Sequence, residues 1–340
     1  MSALQVTWFF LIGLLLTVYA ILDGFDLGAG IWHLFAKKDE HRRLTLNAIG
    51  PVWDGNEVWL LTGGGALFAA FPHVYATVFS GLYLALMLVL FALIFRAVSI
   101  EFRSKRPSTC WRSTWDIAFS IGSILPALLF GVAVGNILRG LPLDESKNFT
   151  GSFFDLLNPY ALLIGLLGFA MLATHGALYL ALKTEGELAE RAKRWGRNAW
   201  LAYLVLFVLT GVVTILSQPQ LLRNYAALPV LWILPLFALV TILAIAIFRR
   251  KGSDGKAFLA SSLSIAGLCA IVAADLFPNL VPALGNPEWS LTVMNSSSSS
   301  LTLGTMLILA LVGMPIVIGY TIWIYRTFRG KVKVETDLHY

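Results

Sequence analysis

The chain has 340 residues, 58% of them hydrophobic and only 13% charged, with a net charge of +6. Soluble domains carry about a quarter charged residues, so this composition excludes an ordinary soluble enzyme and points to an integral membrane protein. The positive charge does not mark a nucleic-acid binder, because Lys and Arg sit between apolar stretches rather than in one patch.

A helical crossing needs about 20 apolar residues. Nine are predicted. The first, residues 7–30, lacks a basic segment and a cleavage motif before it and reads as a retained helix. Near its end it carries Asp23 and Asp26 in Leu-Asp-Gly-Phe-Asp-Leu-Gly. The second, 51–72, is predicted to start at Pro51, a favoured first helical residue. Asp54 and Glu57 then lie on one face, about 4.5 Å apart along the axis. The third, 75–96, ends at Arg96, and the fourth, 116–137, begins with Asp116. The fifth, 159–182, contains His175. Crossings at 198–217, 229–248, 257–277 and 304–325 follow, and the sixth, seventh and ninth have no internal charge. The connection 278–303 holds the run Ser296 to Ser300 and is expected to be a flexible outer loop without chemistry.

Charge in the connections tests this count. Alternate connections hold 22 of the 25 Lys and Arg, from Lys37 and Lys38 after the first crossing to Arg326, Arg329, Lys331 and Lys333 in the tail. That alternation fits nine crossings with the N-terminus outside and the C-terminus in the cytoplasm. Eight crossings would place two neighbouring basic loops on opposite sides. The expected architecture is all-α, two four-helix bundles plus one peripheral helix. A weak echo supports the two bundles: Leu11-Ile12-Gly13-Leu14-Leu15 recurs as Leu163-Ile164-Gly165-Leu166-Leu167, and Gly24 matches Gly176. The possible repeat units are 1–140 and 159–280.

With this orientation Asp23, Asp26, Asp54, Glu57, Arg96 and Asp116 fall at one depth, in the cytoplasmic third of the bundle. Acids inside a membrane cost about 2.5–3.5 kcal/mol each, so they are functional or paired, and Arg96 is the expected counter-charge. Burial favours the neutral carboxyl and a guanidinium favours the ionised one, so a balanced cluster holds and releases protons. The readings at this point are a proton-uptake entrance or a salt-bridged knot that fixes helix packing. Gly24, Gly28, Gly63 to Gly65, Gly131 and Gly135 are expected at close helix contacts. Cys110 in a loop and Cys269 in mid-helix predict neither a disulfide nor a metal site. Of His33, His41, His73, His175 and His339, only His175 lies inside a predicted crossing, so this chain is expected to ligate no heme.

Ordered motifs along most of the chain resemble subunit II of the cytochrome bd quinol oxidases. They are Leu22-Asp23-Gly24-Phe25-Asp26-Leu27-Gly28, Pro51-Val52-Trp53-Asp54-Gly55-Asn56-Glu57-Val58-Trp59 and Gly64-Gly65-Ala66-Leu67-Phe68-Ala69-Ala70-Phe71-Pro72. The likeness continues through Phe95-Arg96, Phe102-Arg103-Ser104-Lys105, Trp115-Asp116 and Gly131-Val132-Ala133-Val134-Gly135-Asn136, then Leu157-Asn158-Pro159 and Ser290-Leu291-Thr292. The resemblance implies a bacterial cytoplasmic-membrane complex with a larger, similarly folded subunit I. That partner would carry the hemes, two of type b and a third of type d or b, and the quinol-oxidising loop. Such a complex oxidises quinol, reduces dioxygen to water without pumping, and takes its protons from the cytoplasm. The resemblance makes Asp54 the leading residue of a proton path, with Arg96, Asp23, Asp26 and Asp116 in support. Glu57 stands where many relatives have Gln and adds an acid. A structural quinone and small accessory membrane subunits belong to the same expectation. The rival reading from the same acids is a proton-coupled secondary transporter; a subunit for assembly alone is a second.

Overall fold

In the computed structural model, residues 1–332 are described; Lys333 and His339 lie outside them. Helices dominate: α1 (Ala3–His33), α2 (Asp39–Ile49), α3 (Trp53–Ala70), α4 (Pro72–Gly81), α5 (Tyr83–Phe102), α6 (Thr109–Arg139), α7 (Pro159–Lys183), α8 (Gly186–Ser217), α9 (Arg223–Ala227), α10 (Ile233–Arg250), α11 (Asp254–Leu276) and α12 (Ser300–Thr327). Among the described residues eight of these are long and apolar enough to cross a membrane. The second predicted crossing, α3, is not one of the eight. Asp54, Asn56 and Glu57 in its first turns dilute its apolar character.

Three boundaries differ from the sequence expectation. Helix α3 begins at Trp53, with Pro51 in the preceding turn. The third crossing is broken at Leu82 into α4 and α5. Ser108 caps α6 and starts it seven residues before Asp116, which places Cys110 in a helical turn rather than a loop.

The two ends of the helices are tied by different contacts. At one end Lys38 pairs with Glu187, Arg103 with Asp39, and Lys193 with Asp254, while Lys183 donates to the Phe328 carbonyl. All the basic connections therefore meet there. At the other end Gln5 donates to Ser297, Trp8 to the Leu303 carbonyl, Thr77 to the Lys147 carbonyl and Asn224 to the Phe277 carbonyl. Helix α3 joins the two: Tyr179 binds the Ala48 carbonyl just before it, and Ser298 binds the Ala69 and Ala70 carbonyls at its close. The serine run is thus an ordered clamp, contrary to the expected flexible loop. Ser296 is buried, Ser297 and Ser298 bind α1 and α3, and Ser299 caps α12. A short hairpin of β1 (Asn279–Val281) and β2 (Leu291–Thr292) precedes that run. On the same side the backbone N–H and hydroxyl of Ser152 both donate to Asp155, holding its carboxyl below the usual range.

Helix α7 is the hub. It packs on α1, α6, α8 and α11, and 72% of its apolar window is buried, against 6% for α12. The pairings repeat: α1 packs on α3 and α6 as α7 packs on α8 and α11, and α5 packs on α6 as α10 packs on α11. Glycine makes the central crossing possible. A Cβ on Gly28 would stand 2.7 Å from Gly176 Cα, and one on Gly131 would stand 2.8 Å from Gly165 Cα. Gly64 and Gly65, expected at a close contact, face open space.

Candidate functional site

Helix α1 presents Asp23 and Asp26 from one turn, α3 presents Asn56 and Glu57, and α5 presents Arg96. These three helices are apolar for most of their length, so the polar groups have only one another to satisfy them. Arg96 is fully buried and donates from Nη2 to Asp23 Oδ1 at 2.6 Å and to Glu57 Oε2 at 3.1 Å. Its backbone is held by Gly122 of α6, where a Cβ would lie 2.8 Å from Arg96 N. Asp26, also fully buried, accepts from Asn56 Nδ2 at 2.8 Å. Asn56 Oδ1 in turn accepts from the Tyr325 hydroxyl at 2.9 Å, so α12 reaches the cluster through one side chain.

Two carboxyl groups therefore share one guanidinium, and a third, Asp26, lies beside them on Asn56. Among the described residues several buried atoms of this cluster have no hydrogen-bond partner: Asp23 Oδ2, Asp26 Oδ1, Arg96 Nε and Nη1, and the Tyr19 hydroxyl. Unpaired buried polar atoms are costly, and a site that retains them keeps free positions for protons or for hydrogen-bonding groups.

Two expected members are placed elsewhere. Asp54 is exposed on the flank of α3, in no ion pair among the described residues. It heads a strip continued by Val58, Leu61, Gly65 and Phe68, all exposed, at spacings of four and three residues. Three residues along a helix turn the side chain by about 60° from its start, enough to send Glu57 inward and leave Asp54 outside. Asp116 belongs to a second network nearer the basic end. It accepts from His33 Nε2 at 2.6 Å, Arg42 Nη1 at 2.8 Å and Arg103, which also donates to Asp39 at 2.6 Å. His33, Arg103 and Asp116 are all buried.

His175 is buried, with Nδ1 3.0 Å from Ser261 Oγ and Nε2 3.0 Å from the Ile21 carbonyl, and it stacks on Phe258. Both ring nitrogens are engaged within the chain. Among the described residues no group of three or more His, Cys, Asp or Glu is placed to hold a metal ion.

Sequence reasoning missed Asn56, Tyr325, His33 and Arg103. Asn56 stood in plain view between the two acids. His33 and Arg103 lay just beyond the predicted crossings, because α1 and α5 run past their apolar windows.

Long apolar helices around a buried acid–arginine cluster define the class as a multi-pass helical membrane protein. Comparison with known proteins defines it further: residues 4–328 match the family described as cytochrome bd terminal oxidase subunit II. The chain belongs to this family. It is 42% identical to the probable cytochrome oxidase subunit 2 of Haemophilus influenzae, covering 97% of this chain and 95% of that one. It is 39% identical to the cytochrome bd-I ubiquinol oxidase subunit 2 of Escherichia coli strain K12, over 98% and 96%. The cytochrome bd ubiquinol oxidase subunit 2 of Bacillus subtilis strain 168 is 35% identical over the whole of both chains. The fold also matches a chain of the bd oxidase from Geobacillus thermodenitrificans with a TM-score of 0.79 at 16% identity, covering 96% of this chain and 99% of that one.

Proposed function

We propose that this chain is the subunit of a quinol-oxidising, dioxygen-reducing complex that ligates no heme and delivers cytoplasmic protons to a heme-bearing subunit I. The hemes, two of type b and a third of type d or b, and quinol oxidation belong to that partner. The observation that carries this reading is the pairing of Asp23 and Glu57 with the single Arg96, with Asp26 buried beside them on Asn56. One guanidinium offsets one carboxylate in a membrane interior, and the remaining carboxyl groups have the capacity to take and return protons.

The chain crosses the cytoplasmic membrane nine times, with α3 as the second crossing, the N-terminus outside and the basic end in the cytoplasm. The clustering of every basic connection at one end supports this orientation. The repeated pairings support two related bundles, α1–α6 and α7–α11, with α12 at the periphery.

Asp54 gives the path its outlet. An acid on a strip of Val58, Leu61 and Phe68 is expensive against lipid, so a polar surface of subunit I covers this flank of α3. Replacing Asp54 with Asn should lower quinol-dependent oxygen uptake by at least about tenfold while assembly and heme content stay unchanged. Unchanged uptake in the assembled variant would remove Asp54 from the path.

Asp116 has a different part. Three donors engage its two oxygens, a geometry that locks the α1–α2 corner to α5 and α6. Asp116→Ala should cost about 3 kcal/mol, the lower end for a broken buried pair, because the buried Arg103 would keep only the half-exposed Asp39 as its partner. The measurement is the thermal midpoint of the purified complex, which should fall, while oxygen uptake per assembled heme is retained.

A further inference from the structure

At the basic end, the chain leaving α12 crosses the C-terminus of α7 as a strap. Val332 N–H donates to the Lys183 carbonyl at 2.8 Å, Lys183 Nζ donates to the Phe328 carbonyl at 2.6 Å, and Lys331 Nζ donates to the Thr184 carbonyl at 3.2 Å. Under the strap is a cleft of about 430 Å³. Lys183, Arg329 and Lys331 line it together with the rings of Tyr179, Tyr325 and Phe328, and among the described residues no Asp or Glu does. Asn47 also faces this cleft; its side chain is 6% exposed, and neither its Oδ1 nor its Nδ2 has a partner among the described residues.

Three cations with no balancing acid among the described residues argue against a metal-cation site and against a proton antenna. A buried amide with both atoms free asks for a ligand that offers an acceptor for Nδ2 and a donor for Oδ1. The outer face of α12, apolar and exposed from Ile308 to Ile322, runs away from the same cleft. We propose that this cleft binds a phosphate-bearing anion, and that the occupant is the headgroup of an acidic glycerophospholipid from the cytoplasmic leaflet, its acyl chains lying along α12. Phosphatidylglycerol fits in chemistry: its phosphodiester meets the cations and Asn47 Nδ2, and its glycerol hydroxyls meet Asn47 Oδ1. Basic pockets between membrane helices at the cytoplasmic surface select anionic headgroups in this way. Bound there, the lipid would bridge α12 to α2 and α7, at the foot of the helix that sends Tyr325 to Asn56. Tyr325 is common to the cleft and the acid cluster, so the test reads lipid binding rather than turnover.

The test uses the purified complex, delipidated in detergent and titrated with dioleoylphosphatidylglycerol, dioleoylphosphatidylcholine or inorganic phosphate under native mass spectrometry. The wild-type complex should bind one phosphatidylglycerol at this site in preference to phosphatidylcholine. The double variant Arg329→Gln, Lys331→Gln should weaken that event by about fivefold per charge removed, and Arg329→Lys, Lys331→Arg should keep it. Asn47→Ala should weaken it as well without altering the charge of the cleft. Phosphatidylglycerol binding that is equal in wild type and the double variant, or equal affinity for phosphatidylcholine, overturns the proposal. Inorganic phosphate that binds with the same dependence on Arg329 and Lys331, and that phosphatidylglycerol does not displace, overturns the lipid as occupant and assigns the cleft to a soluble phosphate compound.

Discussion

Arg96→Met should nearly abolish the assembled complex. Arg96 is the only cation in contact with Asp23 and Glu57 among the described residues, and all three groups lie within the helix bundle. Removing one partner of a buried pair costs about 3–5 kcal/mol, because the desolvated charge that is left behind has nothing to offset it. Two carboxylates would be left here. The yield of complex by size-exclusion chromatography after membrane extraction is the readout, and it should fall to a small fraction of wild type. A triple variant that also carries Asp23→Asn and Glu57→Gln should regain much of that yield, since the neutral amides no longer need the guanidinium. The triple variant should assemble and yet turn over slowly, which separates the contribution of the charges to folding from their contribution to proton transfer. A single Arg96→Met protein with normal yield would show that the buried charges are solvated by something other than Arg96.

Gly176→Val should be the most damaging change in the apolar packing. A side chain on Gly176 would overlap the backbone of α1 at Gly28 and Ala29, and backbone atoms cannot rotate away as a side-chain end can. Overpacking a well-filled interior costs about 1–3 kcal/mol, and the absence of any yielding atom places this substitution at the upper end. The thermal midpoint of the complex is the measurement. Gly64→Ala and Gly65→Ala are the matched controls, since a Cβ at either meets nothing within 4 Å of this chain. They should leave the midpoint unchanged unless the partner subunit packs on that face, in which case association with subunit I weakens and the isolated chain is unaffected.

Much of this architecture could be read before any coordinates. The apolar stretches and the alternation of basic connections gave the helices, and contacts at the two ends sort the connections in the same way. The meeting of Asp23, Glu57 and Arg96 was legible because depth along a crossing follows from counting residues, and all three count to similar depths. Rotation about the helix axis was not legible. Glu57 and Asp54 share a depth and differ mainly in azimuth, and only packing against α1 and α5 decides which of them turns inward. Asp116 was misplaced for the reverse reason. Helix α6 starts at Thr109, so Asp116 lies two turns inside a helix whose first turns are polar, and its true neighbours, His33 and Arg103, lie in segments that hydropathy assigns to loops. Tyr325 was beyond reach altogether, because its contact with Asn56 joins positions 269 residues apart and neither residue is charged. The serine run misled by composition: as a sequence it resembles a linker, while its hydroxyl and backbone groups answer specific carbonyls at the close of α3.

The central position of α7 bears on how the protein is made. A ribosome releases α1 through α6 before the helix against which α1 and α6 pack most deeply has been synthesised. The glycine-lined groove of α1 at Gly24 and Gly28 must then wait in the lipid with Leu172 and Gly176, its permanent neighbours, missing. The bundle is therefore completed from its midpoint, where arrival of a single segment covers α1 and α6 together. Slowed translation just before Pro159 would prolong that exposed interval, and the quality-control proteases of the membrane would meet the nascent chain there.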